Sequence, residues 1–473
     1  MKSIRLAACA ASLAITSSPV LAKPPVAKPL PAHRQAEAQT LELAKQLIAI
    51  RSVIGPNNLT IEADKAIKAA LIAGGWAESD IAITPLRDTA YIIATWPGSD
   101  PKLKPLVISG HLDVVEANPK DWQRDPFTPV VENGYLFGRG ASDMKYDAAL
   151  ATSTLIEMRR AGYKPKRTIV LQFSGDEETT MATSRAIAEK LKGAELVLNI
   201  DGGGGVLDEK SGLPLYWTWQ GAEKTYNDYQ LEVTNAGGHS SAPRPENAIV
   251  QLAKALENIG NYHFPTEQNP LTKAYFEKAA QFQTNPDLSA AMRAFAANKD
   301  DEGAIKVLRA NPAYVGKIAT TCVPTMVSAG HAPNALPQRA TANVNCRIFP
   351  GHTREEIRNQ LEKIAAVPQV KVSDATGEDT IFAPASPMRA DFVTAVEKAM
   401  NRIHPGLPVM PSQASGASDS MWYRALGVPS YGASPVFIKD SDDFAHGLNE
   451  RIPLSNTGPG VNFYLSLFTD LSK

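Results

Sequence analysis

The chain has 473 residues, more than one hydrophobic core usually organises, so two or three structural units are expected. Its 44% hydrophobic and 21% charged residues are ordinary for a globular protein, and a formal net charge of −1 carries no electrostatic footprint for nucleic acid or an anionic membrane surface. Neither partner is indicated.

Residues 1–22 read as a secretory signal: Lys2 and Arg5 form a short positive region, an Ala/Leu/Ile stretch follows, and Val20-Leu21-Ala22 offers a small-residue cleavage site. Leu6-Ala7-Ala8-Cys9 looks like a lipoprotein box, but too little apolar sequence precedes it. No later apolar run approaches the ~20 residues that span a bilayer, so a secreted or periplasmic chain with no membrane association after cleavage is expected. Cys322 and Cys346 would then be its two cysteines, either paired, buried as free thiols, or ligands of a zinc site.

A Pro-rich linker at 23–34 precedes the first periodic segment. Apolar spacing predicts helices at 40–50 and 61–74, a strand at 89–94, a strand running up to His111, a helix at 147–161, a strand ending before Glu177 and Glu178, a helix at 182–191, and a strand ending before Asp201. Strands that are continuously apolar and alternate with helices imply an α/β fold with a mostly parallel sheet covered on both faces. After about residue 221 the pattern changes to strand 226–233, helix 247–259, strands 319–329 and 339–348, helix 354–366 and strand 370–373, a β-α-β-β-α-β order. This predicts an inserted ferredoxin-like α+β lid at 223–380, carrying a helical insertion at about 261–313. The chain returns to α/β character for a helix at 391–402 and a strand at 429–432, so that 35–222 and 381–473 would form one catalytic domain.

Ligands in an open α/β sheet gather outside the carboxyl ends of the strands, so strands ending in His111, Glu177-Glu178 and Asp201 converge hard donors on one place. Asp113 lies two residues past His111, on the same side of an extended segment, and can reach its imidazole. Asp143 follows the small-residue turn Gly138-Arg139-Gly140-Ala141-Ser142. It could bridge two cations or simply cap the next helix. Adjacent side chains diverge, so one of Glu177 and Glu178 should ligate while the other moves protons, unless Asp176-Glu177-Glu178 is merely an acidic surface loop. Asp201 precedes four glycines that lack the Gly-Lys-Ser/Thr ending of a phosphate loop. With His446 past the last strand, the candidate ligands are His111, Asp143, Glu178, Asp201 and His446. Imidazole and carboxylate donors without thiolate suit zinc, in a paired site about 3.5 Å across, with cobalt or manganese as substitutes.

The runs S-G-H-L-D-V-V, D-W-Q-R-D-P-F, G-R-G-A-S-D-M-K, S-G-D-E-E-T, G-G-H-S-S-A-P and N-A-L-P are spread from Ser109 to Pro337. They resemble those of the co-catalytic zinc peptidases that include acetylornithine deacetylase, succinyl-diaminopimelate desuccinylase, aminoacylase, carnosine dipeptidase and carboxypeptidase S. The resemblance implies two zinc ions, with His111 and Asp201 on opposite ions, Asp143 bridging, Glu178 and His446 completing the shells, and Glu177 as general base beside Asp113. It implies that His239 of the lid reaches a partner subunit's site and supports the oxyanion, and that the lid mediates a homodimer. Asn334, Arg347, Ser415 and Gly416 would meet the substrate, with Asp419 in the same loop. The family most often has two small residues where this chain has Tyr146 and Asp147, so the pocket floor is expected to differ. A carboxypeptidase or dipeptidase releasing a C-terminal amino acid is the expected activity, an N-acyl amino acid hydrolase the alternative, and a non-catalytic metal or peptide binding protein the reading from another class.

Overall fold

The computed structural model describes residues 30–378 and 380–473, so the signal sequence and most of the linker lie outside the described residues. The first helix, Arg34–Ala49, begins six residues before the periodicity suggested and takes in the last linker residue.

Ten strands form the main sheet. At its centre Ile169–Ser174, Leu106–His111, Leu196–Asn199 and Ser430–Gly432 run side by side and parallel, and antiparallel strands flank them. Leu106–His111 and Ile169–Ser174 are buried along their whole length, because helices cover both faces. Alternate residues divide between two cores, as strand geometry requires. Leu106, Ile108, Leu171 and Leu198 pack under helices Arg34–Ala49, Lys145–Arg160 and Thr457–Leu471, and Val107, Val170 and Val197 pack against Ile187, Met421 and Trp422. Fixing these strands at both faces fixes where their carboxyl ends, and hence His111 and the residues after Ser174 and Asn199, emerge.

The glycine run carries a strand that apolar spacing does not predict. Gly204–Leu207 is a strand, paired antiparallel with Pro214–Glu223, which also escaped the periodicity reading. Gly205 is required there because a Cβ would lie 2.1 Å from the Phe437 ring.

A second sheet of four antiparallel strands holds Thr321–Ala329, Arg339–Ile348, Thr225–Thr234 and Lys371–Asp374 in that spatial order. Helices Ala248–Asn261 and Arg354–Ala365 pack on one face through Leu252, Ile259, Ile357 and Leu361 against Tyr229, Leu231, Val344 and Cys346. Both helices start at side-chain caps, Asn247 and the Thr353–Glu356 capping box. Cys322 and Cys346, opposite each other on adjacent strands, form a disulfide.

The helical insertion comprises Pro270–Ala279, Pro286–Ala297, Glu302–Arg309 and Pro312–Val315. Three of these start at Asn-Pro pairs, where the Asn side chain caps and the proline occupies a position whose N–H has no helical partner. Although it interrupts the second sheet in sequence, the insertion packs elsewhere. Phe276, Met292 and Phe295 share a core with Met410 and with the half-buried Tyr216, both on strands of the main sheet. Its surroundings are therefore those of the main sheet rather than of the second sheet.

The disulfide closes a 24-residue separation, so replacing both cysteines by serine should remove about 3 kcal/mol of stability. Thermal unfolding of the double variant beside the oxidised parent checks this, with lowered stability expected even without reductant.

Candidate metal centre

His111 ends a buried strand, and a Cβ at the preceding Gly110 would sit 2.6 Å from the end of the buried Met144 side chain, which would have to shift to admit it. Its Nδ1 lies 3.0 Å from the carbonyl oxygen of Asp113, closer than the 3.5 Å to the Asp113 carboxylate. The carboxylate reaches the imidazole as expected, and the shorter contact is to the backbone. The Asp113 carboxylate instead accepts the N–H groups of Glu177 at 3.1 Å and Glu178 at 3.0 Å, which ties the acidic turn to the His111 strand.

Asp143 is not a helix cap. Met144 occupies the cap position of Lys145–Arg160 without a side-chain bond. The Asp143 carboxylate faces two imidazoles, with Oδ1 3.1 Å from His111 Nε2 and Oδ2 3.2 Å from His446 Nε2. Asp201 Oδ2 approaches His111 Nε2 at 3.6 Å, and Glu178 Oε2 approaches His446 Nε2 at 2.9 Å. All five residues named from sequence thus meet, as a His111–Asp201 half and a His446–Glu178 half joined through Asp143. Ligand atoms of His111, Asp143 and Glu178 lie within 4.8 Å of one another.

The electrostatics fit divalent cations. Burial and the neighbouring Asp143 push Asp201 well above the carboxylate range, and burial likewise raises Glu178. Asp143 is held low despite burial by its hydrogen bonds to His111 and His446, and hydrogen bonds to Asp143 and Glu178 push His446 up to about 10. The basic groups paired with these three carboxylates are the two imidazoles. Such buried like charge is costly unless neutralised, and this donor set, hard oxygens with imidazole nitrogen, matches zinc-type ions.

Glu177 makes no ion pair with either imidazole among the described residues. It is buried, and burial together with Asp201, Asp419 and Glu178 raises it well above the usual range despite His111 nearby. Glu177 and Glu178 line a cavity of about 530 Å³ with Tyr226, Asp228, Arg347 and Met421. Arg347 stacks over the Tyr226 ring at 4.7 Å, and its Nη1 donates to the Ser415 carbonyl at 3.4 Å. Arg347 lines the cavity with the glutamates, whereas Ser415 touches it only through Arg347 and the exposed Gly416 does not line it.

His239 and Asn334 are brought together, and neither makes an ion pair or side-chain hydrogen bond to the cluster among the described residues. Gly238–His239 pairs with Ala335–Leu336, and the Asn334 carbonyl accepts the Ser240 N–H at 3.0 Å. His239 is exposed, and its Nδ1 accepts from the Ser241 N–H at 3.1 Å, which leaves Nε2 as the ring's donor.

Tyr146 and Asp147 are both buried in the first turn of Lys145–Arg160. Tyr146 OH bonds Thr457 at 2.9 Å, while Asp147 accepts from Ser434 at 3.0 Å and lines, together with Asp143 and Asp201, a space of about 340 Å³. Burial pushes Asp147 up to about 7. The sequence reading missed Glu450, whose carboxylate supports the Asp143 loop, because a lone Glu in a loop carries no local signal. It assigned no role to Asp419, whose Oδ2 accepts from Ser174 at 2.7 Å.

The sequence model of peptidase family M20/M25/M40 matches residues 107–470, well over half of the chain. The protein belongs to that family. Among its relatives, the N-fatty-acyl-amino acid synthase/hydrolase PM20D1 of Xenopus tropicalis is 30% identical over 383 residues, 78% of this chain and 73% of that protein. A probable carboxypeptidase S-like 2 of Dictyostelium discoideum is 27% identical over 398 residues, 81% of this chain and 74% of its own length. The M20 family metallo-carboxypeptidase Sso-CP2 of Sulfolobus solfataricus shares the fold with a TM-score of 0.69 at 18% identity, covering 91% of this chain and 98% of that one. As an M20 member, the chain is a metal-dependent hydrolase of amide bonds. No helix among the described residues is long and apolar enough to cross a membrane.

Stripping the metal should lower the melting temperature, and adding back zinc should restore it. At free zinc ~100-fold above Kd, each bound ion adds about 2.7 kcal/mol. Scanning calorimetry with and without chelator checks this.

Proposed function

We propose that this chain is an exported two-zinc hydrolase that releases a C-terminal amino acid from short peptides. The observation that carries the reading is the shared cavity, where the Arg347 guanidinium lines the same space as Glu177 and Glu178. A guanidinium fork suits the free carboxylate of the departing residue, and the shared cavity of about 530 Å³ would take the scissile amide.

His111, Asp143, Asp201, Glu178 and His446 would hold the two ions, with cobalt or manganese as substitutes. Bound there, the ions polarise the carbonyl and lower the pKa of the attacking water. Glu177 takes a proton from that water onto a carboxylate oxygen and then delivers it to the amine nitrogen as the amide bond breaks. Its burial keeps this proton away from bulk solvent. Asp113 holds the turn carrying Glu177 through the two backbone N–H groups it accepts. Arg347 and the Ser415-Gly416 loop orient the substrate, and Asn334 supports the His239 loop.

We read residues 223–380 as a lid that pairs with a second copy. His239 makes no ion pair or side-chain hydrogen bond to the cluster of its own chain among the described residues, and its Nε2–H suits donation to a carbonyl oxygen in the partner's site. The edge strand Thr321–Ala329 exposes Val323 (58%), Met326 (72%) and Val327 (68%), an apolar strip beside an unpaired strand edge, which favours self-association. The Cys322–Cys346 disulfide favours an oxidising compartment and so export.

A second reading, hydrolysis of N-acyl amino acids, is favoured by the 30% identity to the N-fatty-acyl-amino acid synthase/hydrolase. Such substrates present the same free carboxylate to Arg347 and the same amide to Glu177, and differ only in what precedes the carbonyl.

Two measurements test these statements. Hydrolysis of dipeptides should exceed that of N-acetyl and N-fatty-acyl amino acids, and Glu177→Gln should lower kcat roughly 10²–10⁴-fold with metal content unchanged. Faster turnover of acyl substrates would favour the second reading, and no turnover that the variant abolishes would leave a binding protein. In sedimentation velocity, Met326→Glu should convert a dimer to monomer, and a monomeric parent would contradict the pairing.

A further inference from the structure

The loops bearing Asp143 and His446 come from opposite ends of the chain, yet both rest on one ion pair. Arg139 and Glu450 are 311 residues apart in sequence and nearly inaccessible to solvent, with side chains 3% and 0% exposed. Glu450 Oε2 accepts from Arg139 Nη1 at 2.6 Å and from the Gly140 N–H at 3.0 Å. Its Oε1 accepts the N–H groups of Ser142 at 2.7 Å and Asp143 at 2.9 Å. The Glu450 carbonyl takes the Gly138 N–H at 3.0 Å as well. One residue therefore collects most of the amide donors of the 138–143 loop.

Arg139 carries the contact onward. Its Nη2 donates to the carbonyls of His446 and Gly447, each at 3.3 Å, and its guanidinium lies 5.1 Å from the centre of the Trp122 ring. His446 has φ +60°, a left-handed backbone that a residue with a Cβ adopts rarely and keeps only when its surroundings hold it. The hydrogen bond from Arg139 to its carbonyl is such a hold. A buried ion pair contributes little net stability compared with apolar side chains of the same volume, so stability alone does not account for this one.

We propose that Arg139 and Glu450 are positioning residues that set the separation of the Asp143 carboxylate from the His446 imidazole. They thereby maintain the cation position formed by Asp143, His446 and Glu178 selectively over the one formed by Asp143, His111 and Asp201. The selectivity follows from the supports. His111 is fixed by its buried strand and the Asp113 carbonyl, and Asp201 follows the neighbouring strand, so neither touches the pair. His446, which serves only one position, hangs from it together with the shared Asp143, so that position has two ligands supported by the pair and the other has one. Coordination distances tolerate only about 0.2 Å of error, less than a released loop would wander.

The inference rests on the two-cation reading, and zinc titration of the metal-free protein by calorimetry with chelator competition separates the two claims. The parent should bind two equivalents. In Glu450→Gln, which keeps the shape but loses the charge and half the acceptors, one equivalent should stay within about threefold of the parent and the other weaken roughly 10–100-fold. Arg139→Lys, which keeps the charge but loses the two-pronged reach to the His446 and Gly447 carbonyls, should weaken the same equivalent by less. The metal-free variants should remain folded, with Glu450→Gln melting below the metal-free parent because it leaves the buried Arg139 charge unpaired. Two equivalents in the parent with equal weakening of both, or of neither, in the variants would overturn the positioning role alone. Unfolding of both metal-free variants would overturn it too, by making the pair part of the core. Fewer than two equivalents in the parent would overturn the two-cation reading and the positioning role with it.

Discussion

Asp143, Asp201 and Glu178 are crowded around two imidazoles at the carboxyl edge of a buried parallel sheet, with Glu177 behind them, and this crowding governs the rest of the structure. Burial raises Asp201, Glu177 and Glu178, which is the response of carboxyl groups kept from water and from one another's charge. Divalent cations remove the conflict by supplying positive charge where the imidazoles alone are too few. The scaffold is therefore built to hold a charge arrangement that it does not itself neutralise.

Each side chain reaches the cluster by a different route, and the routes differ in rigidity. His111 and the acidic turn sit at the ends of strands buried on both faces, and the Asp113 carboxylate joins them. Asp143 and His446 lie on loops, where a support must be built. The two glutamates, adjacent in sequence, part company in space: Glu178 faces His446, while Glu177 stays apart from both imidazoles and lines the cavity that also holds Arg347. The proton-carrying role proposed for Glu177 needs that separation, since a carboxylate bound to an ion is a poor base.

The central strands and the candidate ligands were legible because both are local signals. Continuous apolar runs mark doubly covered strands, and the acids and histidines directly follow them. Gly204–Leu207 was not legible, since its glycines look like a loop until Phe437, more than 200 residues later, is seen to fill the space a Cβ would need. The helices of the insertion were legible, and their Asn-Pro starts would have placed the boundaries more closely, but their docking on Met410 and Tyr216 depends on contacts remote in sequence. Glu450 was invisible for the same reason: only the fold shows four N–H groups of the 139–143 segment converging on its carboxylate.

The most direct test of the account is anomalous diffraction from zinc-loaded crystals, measured on both sides of the zinc edge. Two peaks about 3.5–4 Å apart are predicted, one on either side of the Asp143 carboxylate, with the first beside His111 and Asp201 and the second beside His446 and Glu178. A single peak, or zinc bound away from Asp143, would contradict it.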